Sequence, residues 1–213
     1  KEKMFLHQIY DEGIISKTSF MQLSNSLDEL YDHDGSYALD TRTSIFNFCN
    51  RTFILDGMQR IPKIGSWISF YFKERIGVVH DLGRGFIILQ KEDLKLLDDL
   101  EGSNMLSGEQ KVVLKTLRAE IQHNLDTMNG ILNKLANDFP KAYKHALTQK
   151  ATRMLLCNER RNIRQLQTDG MLSDKDAEQL YERVDERSEK LNSLSHTIPA
   201  SFVRWLMFKK KKA

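Results

Sequence analysis

The chain has 213 residues, of which 40% are hydrophobic and 29% are charged, with 11 Gly and 3 Pro. These proportions exclude disordered and collagen-like chains, and two cysteines, Cys49 and Cys157, are too few for a disulfide-stapled fold. The net charge is +3, but four of the positive charges lie at residues 209–212. Without them, 28 basic residues are balanced by 29 acidic ones. A basic body suited to nucleic acid is therefore not indicated.

Apolar residues recur three or four positions apart along most of the chain, a pattern typical of helices. No apolar run approaches the roughly 20 residues of a membrane span. The first residue is Lys1 and no signal-peptide pattern follows, so we interpret the chain as a cytosolic segment of a longer polypeptide. The spacing predicts helices at 2–12, 16–33, 40–56, 65–81, 85–100, 107–138, 140–169, 173–193 and 199–208.

These elements predict an all-α fold, a multi-helix bundle with a helical hairpin at each end. The expected domain covers 1–197. Hairpins at 2–33 and 140–193 frame a central bundle at 40–138, and 198–213 is an amphipathic basic linker toward a missing downstream domain.

The clearest predicted helix is the one at 107–138, where apolar residues repeat every seven positions. A stripe this wide favours packing inside the chain's own core. The alternative is a seam with a second copy of the chain, in which Asn124 sets the register. The candidate dimer or packing seam consists of Leu114, Ile121, Asn124, Met128 and Leu135.

An internal repeat is the most informative feature of the sequence. The segment 5–16 recurs 157 residues later as 162–173. A common turn used twice by chance is the alternative, and matches further along the chain argue against it. These later matches pair Leu23 with Leu180, Leu27 with Val184, Asp28 with Asp185 and Glu29 with Glu186.

Each copy of the repeat predicts two helices joined by a short, rigid turn. Gly13 and Gly170 are expected to end the first helix in the left-handed conformation, which glycine adopts without steric cost. Ser16 and Ser173 are then placed to cap the second helix. Such hairpins are structural brackets, so these four residues are assigned to turns rather than to chemistry.

No motif for catalysis, a cofactor or a metal stands out. Residues 83–85 read Gly-Arg-Gly, but the remainder of a dinucleotide loop is missing. Residues 32–35 read Asp-His-Asp-Gly without the distal Glu of a calcium loop. The six histidines include no close pair at metal-ligand spacing, so we expect a protein that is not an enzyme and binds no cofactor.

Two aromatic stretches suggest contact surfaces. The first, at 67–72, is interpreted as mainly core, with some side chains left to contact a partner domain or the underside of a membrane. The second is amphipathic and polybasic, which favours an anionic membrane surface, although a domain-linking helix is the preferred alternative. Its candidate membrane contacts are Trp205, Phe208, Lys209, Lys210, Lys211 and Lys212.

Both ends of the chain resemble the cytosolic region of sodium/proton exchangers, in particular the plant Salt Overly Sensitive plasma-membrane exchanger and its sperm-specific animal relatives. The segments that carry this resemblance are 10–16 with 26–30, and 138–140 with 162–172. Residues 198–199, Ile-Pro, are similar to the link that precedes a cyclic-nucleotide-binding-like domain. Residues 35–135 align only loosely.

The resemblance implies a regulatory and dimerisation domain at the cytoplasmic face of the plasma membrane. The implied partners are the transmembrane antiporter domain of the same polypeptide, a second copy and a downstream cyclic-nucleotide-binding-like domain. Sodium/proton antiport would belong to the full-length protein. The alternatives are a free-standing all-helical adaptor or effector, and an enzyme whose Cys–His site lacks a local motif.

Overall fold

The computed structural model describes residues 2–32, 45–46, 49, 65–102 and 107–193. Across these ranges the elements are α-helical with no strand, which confirms the predicted all-α fold class. None of the described helices is long and apolar enough to cross a membrane. The helices are α1 (Glu2–Asp11), α2 (Lys17–Asp32), α3 (Gly65–Gly102), α4 (Gly108–Asp138), α5 (Pro140–Thr168) and α6 (Asp174–Ser193).

The sequence sets the ends of α4 by local chemistry. Ser107 and Gln110 form a capping box, in which each side chain bonds the other residue's backbone N–H. At the other end, the Phe139 N–H donates to Leu135 O at 3.0 Å, and Pro140 then begins α5. Proline suits that position because the first turn of a helix needs no N–H donor.

The chain divides into two compact units, residues 1–154 and 155–213, and α5 contributes to both. The predicted hairpin at 140–193 is therefore shared between the units. In the first unit, α3 is the central helix, and α1, α2 and α4 all contact it. Its core is apolar and includes Leu6, Ile9, Leu23, Phe86, Leu125 and Met128.

The predicted break between residues 81 and 85 is wrong, because α3 runs through Gly83 and Gly85 without interruption. A Cβ on Gly83 would lie 3.0 Å from Leu132, and a Cβ on Gly85 would lie 2.7 Å from the Leu23 side chain. Both glycines therefore allow close approach of neighbouring helices. That packing offsets the roughly 1 kcal/mol that glycine costs inside a helix.

The described part of the second unit is a hairpin made from the last part of α5 and from α6. Its small core contains Leu156, Ile163, Ala177 and Val184. Other predicted elements fall largely outside the described residues. Of 40–56, residues 45–46 and 49 are described and are helical, and 199–208 lies wholly outside.

Candidate functional site

The first turn, between α1 and α2, has the hydrogen bonds of a glycine-ended helix. Gly13 has φ 72°, and the Ile14 N–H donates to Ile9 O at 3.0 Å. This bond reaches back across the last turn, as in a Schellman motif. Ser16 then caps α2, since its Oγ accepts from the Ser19 N–H at 3.3 Å. The two helices are thus joined at a fixed angle.

The second turn, between α5 and α6, repeats this arrangement. Gly170 has φ 70°, and the Met171 N–H donates to Leu166 O at 2.9 Å. Ser173 Oγ accepts from the Asp176 N–H at 3.2 Å. Each of these groups lies 157 positions after its counterpart in the first turn, so the structure places the four predicted turn residues in equivalent roles.

Two side-chain pairs also recur at the same offset. One is an ion pair between the two helices, and the other joins residues four apart on the first helix. All of them are exposed, where such pairs contribute little stability, so they mark the equivalence of the hairpins more than they stabilise it. The pairs are Lys3–Asp28 and Gln8–Glu12 in the first hairpin, and Arg160–Asp185 and Gln165–Asp169 in the second.

A buried polar contact, here called the clamp, joins the first turn to α3 and α5. Arg153 Nη2 donates to Asp81 Oδ2 at 2.6 Å, and Arg153 Nε donates to Gly13 O at 3.0 Å. The Arg153 and Asp81 side chains are 17% and 6% exposed. One guanidinium therefore fixes the carbonyl of the left-handed glycine and neutralises a buried carboxylate. The residues of the clamp lie far apart in the chain and form no local motif, so the sequence does not predict this contact.

His80 lies beside the clamp and is fully buried. Its Nδ1 is 3.4 Å from Asp81 Oδ1, and its ring packs edge-on against Tyr143 with centroids 5.1 Å apart. Among the described residues, no group bonds its Nε2. An unpaired buried ring nitrogen is costly, so the Nε2 atom of His80 lowers the stability of the packing between α3 and α5.

The neighbourhood of the clamp is positively charged. The pKa of Lys150 is lowered by burial and then by the nearby Arg84 and Arg153, while Asp81 acts in the opposite direction. Among the described residues, Asp81 is thus the carboxylate that offsets the cations acting on Lys150. Loss of Asp81 would leave the cations repelling one another.

The predicted seam on α4 is buried within the first unit. Leu114, Ile121, Met128 and Leu135 belong to its apolar core. Asn124 is 8% exposed, and its Nδ2 lies 3.5 Å from Gln90 Oε1 on α3. The stripe therefore packs against the chain itself, as the first of the two interpretations expected.

Cys49 is buried, and burial raises the pKa of its thiol to about 12, with Arg75 opposing the shift. The thiol therefore stays protonated at neutral pH and is a poor nucleophile. Within the described part of the chain, no group of three or more His, Cys, Asp or Glu residues could hold a metal ion.

Several predicted contacts lie outside the described residues. These include the whole candidate membrane surface, namely Trp205, Phe208 and residues 209–212. The aromatic stretch at 67–72 is part of α3, but its side chains are not among those described. The search against protein-family models found no match to this chain.

Proposed function

We propose that this chain is a non-catalytic regulatory and dimerisation domain of a sodium/proton antiporter. The same polypeptide supplies the transmembrane domain that exchanges sodium for protons. This helical domain lies at the cytoplasmic face of the plasma membrane. A second copy, a downstream cyclic-nucleotide-binding-like domain and the anionic membrane surface are its further proposed partners.

The observation that carries this proposal is the ordered pair of hairpins. The sequence resemblance to the exchangers rests on these two segments, and both fold into the same turn with φ near 70° at Gly13 and Gly170. Their equivalence supports reading them as one structural unit used twice. The described helices also offer packing surfaces and a buried clamp, features suited to transmitting a displacement.

The clamp supplies a mechanism for regulation. Arg153 holds the first turn and α3 together through two hydrogen bonds, both largely removed from water. Such a contact is either fully made or broken, because a half-satisfied buried ion pair is strongly unfavourable. Two discrete arrangements of the first hairpin would bias two states of the attached antiporter.

The test uses the complete polypeptide encoded by the gene, in inside-out membrane vesicles that lack other antiporters. Sodium-driven proton movement is followed by a pH-sensitive dye. We expect the Arg153→Met protein to retain exchange but at an altered rate, while the exposed Met4→Ser control behaves as wild type. Absence of sodium-driven proton movement in the wild-type vesicles would refute the proposal.

The alternative function is a free-standing helical adaptor or effector. It is favoured by the exposed apolar side chains of the second hairpin, which include Met171 at 75% exposure. The reading frame upstream of Lys1 separates the two functions. Multiple apolar spans there support the antiporter, and a start codon immediately before Lys1 supports the adaptor.

A further inference from the structure

The two hairpins share their turns and ion pairs but differ in what covers them. Ile9 in the first hairpin is 2% exposed, whereas its counterpart Leu166 is 40% exposed. Ile14 packs on the first core, whereas its counterpart Met171 is largely exposed. The second hairpin therefore presents apolar side chains to solvent at positions where the first hairpin is covered.

The first hairpin shows what kind of element covers this face. Its cover is α3, which contacts both α1 and α2. At Gly85 this helix approaches the first hairpin closely, since a Cβ there would lie 2.7 Å from the Leu23 side chain and 3.0 Å from the Ile15 side chain. About two turns earlier on α3, Ser19 Oγ donates to the carbonyl of Val78 at 3.3 Å. The cover is thus a helix with a glycine against two aliphatic side chains.

The repeat transfers these contacts to the second hairpin. Leu172 and Leu180 stand where Ile15 and Leu23 meet the glycine, and both are only partly buried. We call the set formed by Leu166, Met171, Leu172, Asp176 and Leu180 the open face.

The open face differs from the first hairpin in charge. The counterpart of Ser19 is Asp176, whose side chain is exposed, so a carboxylate replaces a hydroxyl donor. Asp176 Oδ2 already accepts from Ser173 Oγ at 2.6 Å. Because a carboxylate only accepts hydrogen bonds, a helix seated there must present a donor to its remaining lone pairs in place of a carbonyl oxygen. The neighbouring acids Asp174, Glu178 and Glu182, with Lys175 as the one base of 174–182, add to the negative field.

We propose that the open face binds an amphipathic α-helix of a partner protein. This helix carries glycine or another small residue where Leu172 and Leu180 meet, and Lys or Arg opposite Asp176. Its apolar side chains cover Leu166 and Met171 in the way that α3 covers the first hairpin. Helix-in-groove recognition of this kind depends on a few apolar anchors and one charged contact. The assignment goes beyond the proposed function and holds for either candidate function.

The probe is a fluorescein-labelled peptide with the sequence of residues 75–91, in which Val78→Lys supplies the cation at the residue that meets Ser19, and Gly85 supplies the small residue. It is titrated with the full chain and followed by fluorescence anisotropy. We expect saturable binding that is weakened about tenfold or more by Leu166→Asp with Met171→Asp, a loss of the size typical of interface anchors. Both side chains are exposed, so the doubly substituted chain is expected to fold.

Two controls define specificity. Met4 is equally exposed at 77% but lies on the first hairpin, so Met4→Asp should leave binding unchanged. A peptide with Gly85→Leu should bind at least about tenfold more weakly, because the larger side chain prevents close approach. Circular dichroism verifies that each chain variant is folded.

Three results would overturn the proposal. The first is no binding of the probe, or binding that the open-face substitutions do not weaken. The second is a dimer in sedimentation experiments that Met171→Asp dissociates, because a second copy would then occupy the face. The third is binding only after residues 194–213 are removed, because the chain would then cover the face itself.

Discussion

Replacement of Arg153 by Met tests whether the clamp contributes to stability as its geometry indicates. The substitution removes the 2.6 Å hydrogen bond to Asp81 and the 3.0 Å bond to Gly13 O, and leaves a buried carboxylate facing His80. Breaking a buried ion pair from one side costs about 3–5 kcal/mol. Since Arg153 is partly exposed and Lys150 lies nearby, we expect about 3 kcal/mol.

The assay is urea unfolding followed by far-ultraviolet circular dichroism. With an m-value of about 2 kcal/mol/M, the midpoint should fall by about 1.5 M. Adding Asp81→Asn to Arg153→Met removes the stranded charge and should recover at least half of the loss.

Arg160→Met is the matched control, because it breaks the exposed Arg160–Asp185 ion pair. An exposed pair contributes about 0–1 kcal/mol, so its midpoint should change little. Equal losses for Arg153→Met and Arg160→Met, or no recovery in the double variant, would refute the reasoning.

Gly85→Ala should destabilise the chain by about 1–3 kcal/mol, because the added Cβ overpacks against Leu23, whereas Gly130→Ala, whose Cβ would meet open space, should stabilise it by up to about 1 kcal/mol. Thermal unfolding measures both changes, and a change of the same sign for both variants would contradict the close-approach argument. Gly170→Ala should lower the unfolding free energy by about 1 kcal/mol, because φ is +70° there although a Cβ would meet no neighbour, and Gly170→Asn should cost less. An unchanged unfolding free energy for Gly170→Ala would show that the turn relaxes. Burial raises the pKa of the Cys49 thiol from 9.0 to about 12, so its contribution to stability is present below pH 9 and is lost as pH rises toward 12. In urea unfolding at a series of pH values, Cys49→Ala should weaken this decline of the unfolding free energy with pH. A decline as steep as in the wild type would contradict the burial of the thiol.

Local patterns were enough to predict the two turns. A glycine followed three residues later by serine, between two apolar stripes, predicts a helix end and the cap of the next helix from local hydrogen bonds alone. Gly13 and Gly170 both adopt the positive φ that this pattern predicts. The burial of the α4 stripe was likewise expected from its width. These features depend on residues close together in the chain.

The features that the sequence did not predict depend on distant partners. In the sequence, Gly83 and Gly85 suggest a helix break. In the structure they lie inside a helix, because Leu132 and Leu23 occupy the space that a larger side chain would fill. The Arg153–Asp81 pair joins residues 72 positions apart and has no local signature. Whether a hairpin is covered or open depends on its surroundings, so two similar segments can fold alike and still differ in exposure.

Amide hydrogen exchange of the full chain tests the central claim directly. That claim is that the clamp and α3 cover the first hairpin, whereas the equivalent face of the second hairpin is exposed to solvent. The Ile14 amide belongs to the peptide group whose carbonyl, Gly13 O, accepts from Arg153. It should exchange at least about 100-fold more slowly than the Met171 amide, a difference near 3 kcal/mol in opening free energy. Adding the labelled peptide should slow Met171 and leave Ile14 unchanged. Equal protection of the two amides in the free chain would contradict the account.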